Sequence, residues 1–202
     1  MKLNYTVLYK VFFGLLGFSA VVTELAVLST YGKLVPANFF SYFTIESNIL
    51  AFIVFLVSAF YMFAGKKSSK LDFFRGAATL FMIVTGIVFA VLLSGIEGAK
   101  LTAVPWDNAV LHYIIPIAAA IDWIIDPPHR RISFRRGLLW LTYPVVYVVY
   151  SLIRGPIVGW YPYPFLDPAY GGYGKVAVTS ILIFVFGIVL VWLVTRIKSK
   201  AK

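Results

Sequence analysis

A short polar stretch, SYFTIESNIL, interrupts the second hydrophobic segment of the chain. Thr44, Ser47 and Asn48 follow the i, i+3, i+4 spacing that places side chains on one face of an α-helix, whereas Glu46 points the opposite way. A threonine hydroxyl can attack a carbonyl carbon when a neighbouring base accepts its proton, so Thr44 is a candidate nucleophile. An alternative stays open, because a helical threonine commonly donates to the i−4 carbonyl, here that of Phe40.

A histidine lies in another hydrophobic stretch, LHYIIPIAAAIDW. His112 shares a helix face with Asn108, four residues earlier, and its imidazole could act as a general base. Pro116 has no N–H to donate to the carbonyl of His112, so we expect a kink there that helps to open a cavity. Polar groups inside a membrane segment usually face the bundle interior or a water-filled cavity.

These residues belong to a chain that must be an integral membrane protein. Of its 202 residues, 61% are hydrophobic and only 13% are charged, which a soluble domain of this size could not bury. A helix needs about 20 mainly apolar residues to cross the bilayer core. We therefore predict an all-α bundle of six transmembrane helices in a single domain, with the spans Val7–Ser29, Phe39–Ala64, Phe73–Ser94, Trp106–Ile125, Gly137–Ile153 and Lys175–Thr195.

The basic residues predict the orientation of this bundle. Fourteen of the 18 lysines and arginines flank one side of the spans, whereas Lys33, Lys100, Arg154 and Lys175 lie on the other. Basic residues collect on the cytoplasmic side, so both termini should be cytoplasmic, in what we expect to be a bacterial cytoplasmic membrane. Topology then accounts for the net charge of +10, with anionic lipid headgroups as partners of the basic loops and no nucleic acid.

The same orientation places several polar residues at one depth. Glu24, Thr44 and His112 each lie five or six residues from the outer end of a span, about 8 Å deep at the rise of an α-helix. Arg154 lies just above this layer, and Asp122 is expected near the cytoplasmic end as a structural or interfacial acid. We predict a polar pocket in the outer half of the membrane, lined by residues of three helices.

The last outer connection, RGPIVGWYPYPFLDPAYGGYG, is rich in proline, glycine and aromatic residues. Two interpretations are compatible: an aromatic belt at the membrane interface, or a lid over the polar pocket. The lid would include Trp160, Tyr161, Tyr163 and Asp167.

The composition also limits cofactor chemistry. The chain has no cysteine and two histidines, so we expect no metal site and no cofactor. We also disfavour a retinal-type receptor, because the predicted topology leaves no lysine inside the membrane for a Schiff base.

The stretches YFTIESN, LHYIIPIAAAIDW and GWYPYPFLDP resemble a bacterial branch of the androgen-induced-gene-1-like membrane proteins, the superfamily that includes the androgen-dependent TFPI-regulating protein. The resemblance covers nearly the whole chain and implies a six-helix threonine hydrolase that cleaves fatty acid esters of hydroxy fatty acids. The essential Thr and His of that family correspond to Thr44 and His112. A more distant relative, a lipid acyltransferase, uses a Cys that this chain lacks.

The resemblance and the depth argument together predict a lipid ester hydrolase that forms an acyl-threonine. Glu24 would orient the imidazole, and Ser47, Asn48, Asn108 or Arg154 would hold the oxyanion or the substrate. Two alternatives stay open: a small transporter or proton-coupled carrier, and a lipid-binding protein without turnover.

Overall fold

The computed structural model describes residues 5–95, 102, 104–197 and 199, which fold as a helical bundle. Six helices are long and apolar enough to cross a membrane, as predicted: α1 (Tyr5–Thr30), α2 (Phe43–Phe63), α3 (Ser69–Leu93), α4 (Pro105–Ile125), α5 (Phe134–Val158) and α6 (Gly172–Arg196). The cytoplasmic location of the termini stays a prediction. Five of the basic residues on which this prediction rests lie outside the described residues: Lys2, Lys100, Lys198, Lys200 and Lys202.

Several helices begin or end away from their predicted boundaries; α3 begins four residues earlier than predicted and α6 three residues earlier. The chain turns after a separate short helix, Pro36–Phe39, so α2 begins four residues later than predicted. Helix α5 is longer than predicted at both ends, with a 3₁₀ turn at Leu138–Leu141. It ends at Gly159, whose φ of 64° is the left-handed conformation that glycine adopts most readily.

The bundle has two apolar cores that meet along α2 and α3. Helices α1, α2 and α4 surround one core, which contains Ala20, Phe55 and Leu111. Helices α3, α5 and α6 surround the other, which contains Leu80 and Val191. Large apolar side chains on the outer faces of all six helices are exposed, as a lipid environment permits.

A network of buried ion pairs joins the helices at the end of the bundle where α1 begins, here called the termini end. Lys10 pairs with Asp122 and with Asp126, whose carboxylate lies 3.0 Å from the ammonium. Arg75 pairs with Asp122 at 2.9 Å, with Asp126 at 3.0 Å and with Asp72 at 3.1 Å. The network ties α1, α3 and α4 together, and Asp122 is a structural acid, as expected.

Two residues of this network correct the sequence analysis. Lys10 and Arg75 were counted among the flanking basic residues, but both lie inside spanning helices and are almost completely buried. A charged group at such a position needs partners, and the three aspartates supply them. A retinal-type receptor was disfavoured because the predicted topology placed no lysine inside the membrane, and this premise is wrong. The ammonium of Lys10 is nevertheless held in ion pairs.

Candidate functional site

Thr44 lies in the first turn of α2, at the opposite end of the bundle, here called the loop end. The first N–H groups of a helix have no acceptor within the helix. The N–H of Thr44 donates to the phenol oxygen of Tyr163, 3.0 Å away. A residue of the long connection between α5 and α6 thus caps the helix that carries the candidate nucleophile.

A second phenol contacts the residues at the start of this helix. Tyr147 of α5 donates to the carbonyl of Ser41 at 2.9 Å, and its ring centroid lies 5.2 Å from that of Phe43. The start of α2 is therefore held by hydrogen bonds on two sides, which fixes the direction of the Thr44 side chain.

The Thr44 hydroxyl faces His112. Its Oγ1 lies 3.4 Å from Nε2 of the imidazole and 3.2 Å from the phenol oxygen of Tyr163. The other ring nitrogen, Nδ1, lies 3.1 Å from the carbonyl oxygen of Asn108. A carbonyl can only accept, so the neutral ring carries its proton on Nδ1, and the lone pair of Nε2 points toward Thr44. The contact of 3.4 Å is long for a hydrogen bond, as is common in unliganded nucleophile–base pairs.

Local helix geometry places this imidazole. Residues Val110–Ile114 form a π-turn, the irregularity that accompanies Pro116, and Phe89–Leu93 form another on α3. The ring of Phe89 stacks on that of His112, with centroids 3.9 Å apart. Single π-turns often occur at functional sites because they re-aim one side chain.

A glycine lets α3 approach this turn. A Cβ on Gly86 would lie 3.2 Å from the carbonyl oxygen of His112 and 3.0 Å from a carbon of Pro116. The carbonyl of His112, to which Pro116 cannot donate, therefore packs against a glycine that has no side chain.

The two other polar residues on this face of α2 do not serve as predicted. Asn48 donates to the carbonyls of Thr44 at 2.8 Å and Leu111 at 3.1 Å, so its amide hydrogens are engaged. The hydroxyl of Ser47 lies 3.2 Å from the carbonyl of Thr44 and 3.0 Å from the hydroxyl of Thr85. Both residues brace the backbone behind Thr44, which corrects their assignment as oxyanion donors.

Glu24 lines the same cavity as His112 but does not orient the imidazole. That role belongs to the carbonyl of Asn108, because both ring nitrogens already have their partners. Glu24 lies instead beside the buried carboxyl of Asp107, in the first turn of α4. Glu46, on the other side of α2, interacts with the phenol of Tyr143 on α5, as its angular position predicted.

Arg154 and Asn108 also have roles that differ from those predicted. The guanidinium of Arg154 donates to the side chain of Asn38 at 2.6 Å and lies 5.3 Å from the ring centroid of Trp160. It thereby braces two residues that line the cavity. Asn108 acts through its backbone carbonyl rather than its side chain.

The connection between α5 and α6 folds over the site in two short 3₁₀ turns, Pro164–Leu166 and Pro168–Tyr170. Of the four residues predicted for a lid, Trp160 and Tyr163 line the cavity. Tyr161 packs against the backbone of Gly155, and the Asp167 carboxylate accepts a hydrogen bond from the N–H of Ala169.

A wide cavity of about 540 Å³ opens at this site. Thr44 and His112 are 7% and 4% exposed, so the cavity reaches both reactive groups although they are buried. Burial raises the pKa of Tyr163, which lies between the spans, to about 12. The phenol is therefore a neutral donor at physiological pH. The other polar residues that line the wide cavity are Glu24, Lys33, Asn38 and Thr102.

Sequence reasoning missed the direct contact of Tyr163 with Thr44. The loop motif singled out this tyrosine as one of several aromatic residues, but nothing in its spacing relates it to a residue 119 positions earlier.

No protein-family model, no curated protein and no solved structure matches the chain. Fold and site together define a six-helix membrane protein with a buried Thr–His pair that faces a polar cavity.

Proposed function

We propose that the protein is an intramembrane lipid ester hydrolase in which Thr44 is the nucleophile and His112 the general base. The observation that carries this proposal is the orientation of His112: Nδ1 donates to a carbonyl, so Nε2 presents its lone pair to the Thr44 hydroxyl. Nucleophile, base and orienting group are the three parts such a site requires.

In the first step, Nε2 of His112 takes the hydroxyl proton while Oγ1 of Thr44 bonds to the ester carbonyl carbon. The carbonyl π electrons move to the oxygen, which becomes the oxyanion. When this intermediate collapses, the C–O bond to the alcohol breaks and the alkoxide takes the proton from Nε2. The products of this half-reaction are a free alcohol and an acyl-threonine.

Tyr163 is the oxyanion donor in this proposal. Its oxygen already accepts the N–H of Thr44, which fixes the phenol next to the reacting carbon, and its own proton is directed into the site. The positive end of the α2 dipole lies in the same place. One well-placed donor contributes about 3 kcal/mol to stabilising the transition state.

Deacylation uses the same groups in the opposite order. Water from the wide cavity gives a proton to His112 and attacks the acyl carbon. The bond from that carbon to Oγ1 of Thr44 then breaks, the protonated imidazole returns its proton to Oγ1, and the fatty acid is released. Three further residues support the pair: Asn48 and Ser47 hold the Thr44 carbonyl, and Asn108 holds the imidazole.

The resemblance in the motifs indicates fatty acid esters of hydroxy fatty acids as the substrate class. These amphiphiles dissolve in the bilayer, so they would reach the site from the lipid, and we propose that they enter through the outer leaflet. The cavity fits such a substrate because it combines apolar walls with polar groups.

A carrier mechanism has less support. Along α4 the buried residues between His112 and Asp122 are Ile115, Pro116, Ala118 and Ala119, which offer no titratable group. A proton relay along this helix would have to cross about 15 Å without one. Potential-driven uptake into liposomes that depends on Glu24 would favour the carrier over the hydrolase.

The test uses a fluorophosphonate probe that reacts with activated hydroxyl groups. It also measures hydrolysis of a branched ester, in which an unbranched fatty acid is esterified to the hydroxyl group of a hydroxy fatty acid. We expect purified wild-type protein to be labelled and active, and Thr44→Ala and His112→Ala to lose both, with rates at least about 100-fold lower. Matched controls are Thr30→Ala, at an exposed position of α1, and His129→Ala, at the termini end. If labelling persists in both Thr44→Ala and His112→Ala, the proposal is wrong.

A further inference from the structure

A second cavity lies on the other side of Thr44. It is narrow, about 80 Å³, and its walls are almost entirely apolar. The start of α2, helices α3, α5 and α6 and the α5–α6 connection form it, with Val84, Phe89, Val148, Leu166 and Ser180 among the residues that line it. We refer to it as the apolar slot.

The apolar slot and the wide cavity meet at the reactive residues. Thr44 and Tyr163 line both of them. An ester carbonyl placed for attack by Thr44 and held by Tyr163 would therefore have one cavity on each side, and its two substituents must enter different cavities.

The position of His112 decides which substituent enters which cavity. His112 lines the wide cavity and is not among the residues that line the apolar slot. The ring of Phe89, which stacks on the imidazole, is part of the slot wall. The leaving alkoxide must take its proton from His112, so it has to depart through the wide cavity. The acyl chain is then left with the slot.

From this geometry we infer that the apolar slot binds the acyl chain of the substrate, as a single unbranched alkyl group, and that the wide cavity binds the alcohol part. The inference rests on the proposed hydrolase function. The residues that line the two cavities agree with this inference. The apolar slot can bury alkyl surface, whereas the wide cavity presents Lys33, Asn38 and Thr102 to a polar alcohol moiety. The slot is narrow, so it selects against branching next to the carbonyl.

The first experiment compares p-nitrophenyl octanoate with p-nitrophenyl acetate. We expect wild type to prefer octanoate by at least about tenfold in kcat/KM, because a few buried methylenes already change binding by that factor. Ser180→Phe fills the slot and should bring the ratio close to one, because hydrolysis of octanoate falls more than hydrolysis of acetate. The matched control, Val178→Phe, adds the same ring on the exposed side of α6 and should keep the wild-type ratio. An unchanged ratio in Ser180→Phe would overturn the inference.

A second measurement depends neither on catalysis nor on folding of a variant. An octanoic acid with a terminal diazirine is photo-crosslinked to wild-type protein, and the adducts are mapped by mass spectrometry. We expect slot residues of α3 or α5 to be labelled, and less so when octanoate is added as competitor. Adducts confined to the exposed outer faces would reject the slot. The hydrolase itself would be rejected by a different result, namely fluorophosphonate labelling that persists in both Thr44→Ala and His112→Ala. The two failures are therefore distinguishable.

Discussion

Two groups of buried polar side chains occupy opposite ends of the bundle, and they differ in charge and in access. At the termini end, Lys10, Arg75 and their carboxylate partners form ion pairs, and the void that Arg75 and Asp122 line there has a volume of only about 10 Å³. At the loop end, Thr44, His112 and Tyr163 face a cavity of about 540 Å³. The charged residues pair with each other, whereas Thr44, His112 and Tyr163 are uncharged groups that contact each other at the wall of an open cavity.

This difference separates a structural network from a reactive site. Buried charges are stable only when they are paired, so the network contributes by holding α1, α3 and α4 in one arrangement. The Thr–His pair needs no counter-charge, and burial costs it less. Changes at the termini end should therefore affect folding, and changes at the loop end should affect catalysis.

The largest effect is expected from Lys10→Met, which leaves three aspartates facing Arg75. Removing one partner of a buried ion pair costs about 3–5 kcal/mol, because the remaining charge stays buried without compensation. We expect the free energy of unfolding in detergent to fall by this amount, while activity per folded molecule is retained. The control Lys66→Met, at an exposed position, should be neutral. Wild-type stability of Lys10→Met would show that the network is not structural.

A smaller effect on stability, together with a loss of catalysis, is expected from Tyr163→Phe. Loss of the oxyanion donor should lower kcat by about 100-fold, and loss of the acceptor for the N–H of Thr44 should lower the free energy of unfolding by about 1 kcal/mol. The pKa of Tyr163 is raised to about 12, so the phenol keeps its proton below that pH. The loss should therefore be the same from about pH 6 to about pH 10. Tyr170→Phe, at an exposed position of the same connection, serves as control. A kcat of Tyr163→Phe equal to that of wild type would leave the oxyanion without its proposed donor.

The smallest effect is expected from Glu24→Gln. The carbonyl of Asn108 already orients His112, so kcat should change by less than about tenfold, below the range typical of acid–base residues. Steady-state kinetics with the branched ester measures this directly. A loss as large as that of His112→Ala would restore Glu24 as the orienting group.

Much of the site could be predicted because its signals are local. Depth along each span brought Glu24, Thr44 and His112 to one layer, and the three residues do line one cavity. The helical spacing of Ser47 and Asn48 correctly placed them beside Thr44, but angular position does not reveal which hydrogen bonds are already formed. Both residues bond to the carbonyl of Thr44 within α2. Only the packing of α2 against α3 and α4 brings the Thr85 hydroxyl within reach of Ser47 and the Leu111 carbonyl within reach of Asn48.

Charge at the termini end was predicted less well, for a related reason. A basic residue near the start of a hydrophobic segment is usually interpreted as lying just outside the membrane, and Lys10 was counted among such flanking residues. Its burial depends on Asp122 of α4, 112 positions away in the chain, and on Asp126 in the segment after that helix.

By itself, the sequence determined that the chain enters a membrane as six helices, because hydrophobic length and composition are summed along each segment. It also determined the candidate pair, since polar side chains in apolar helices are few. Only the tertiary structure decided that Nε2 of His112 faces Thr44, that Tyr163 lies against both the backbone and the hydroxyl of Thr44, and that two cavities meet there. These relations join residues far apart in the chain, and packing, rather than any local periodicity, sets the distances between them.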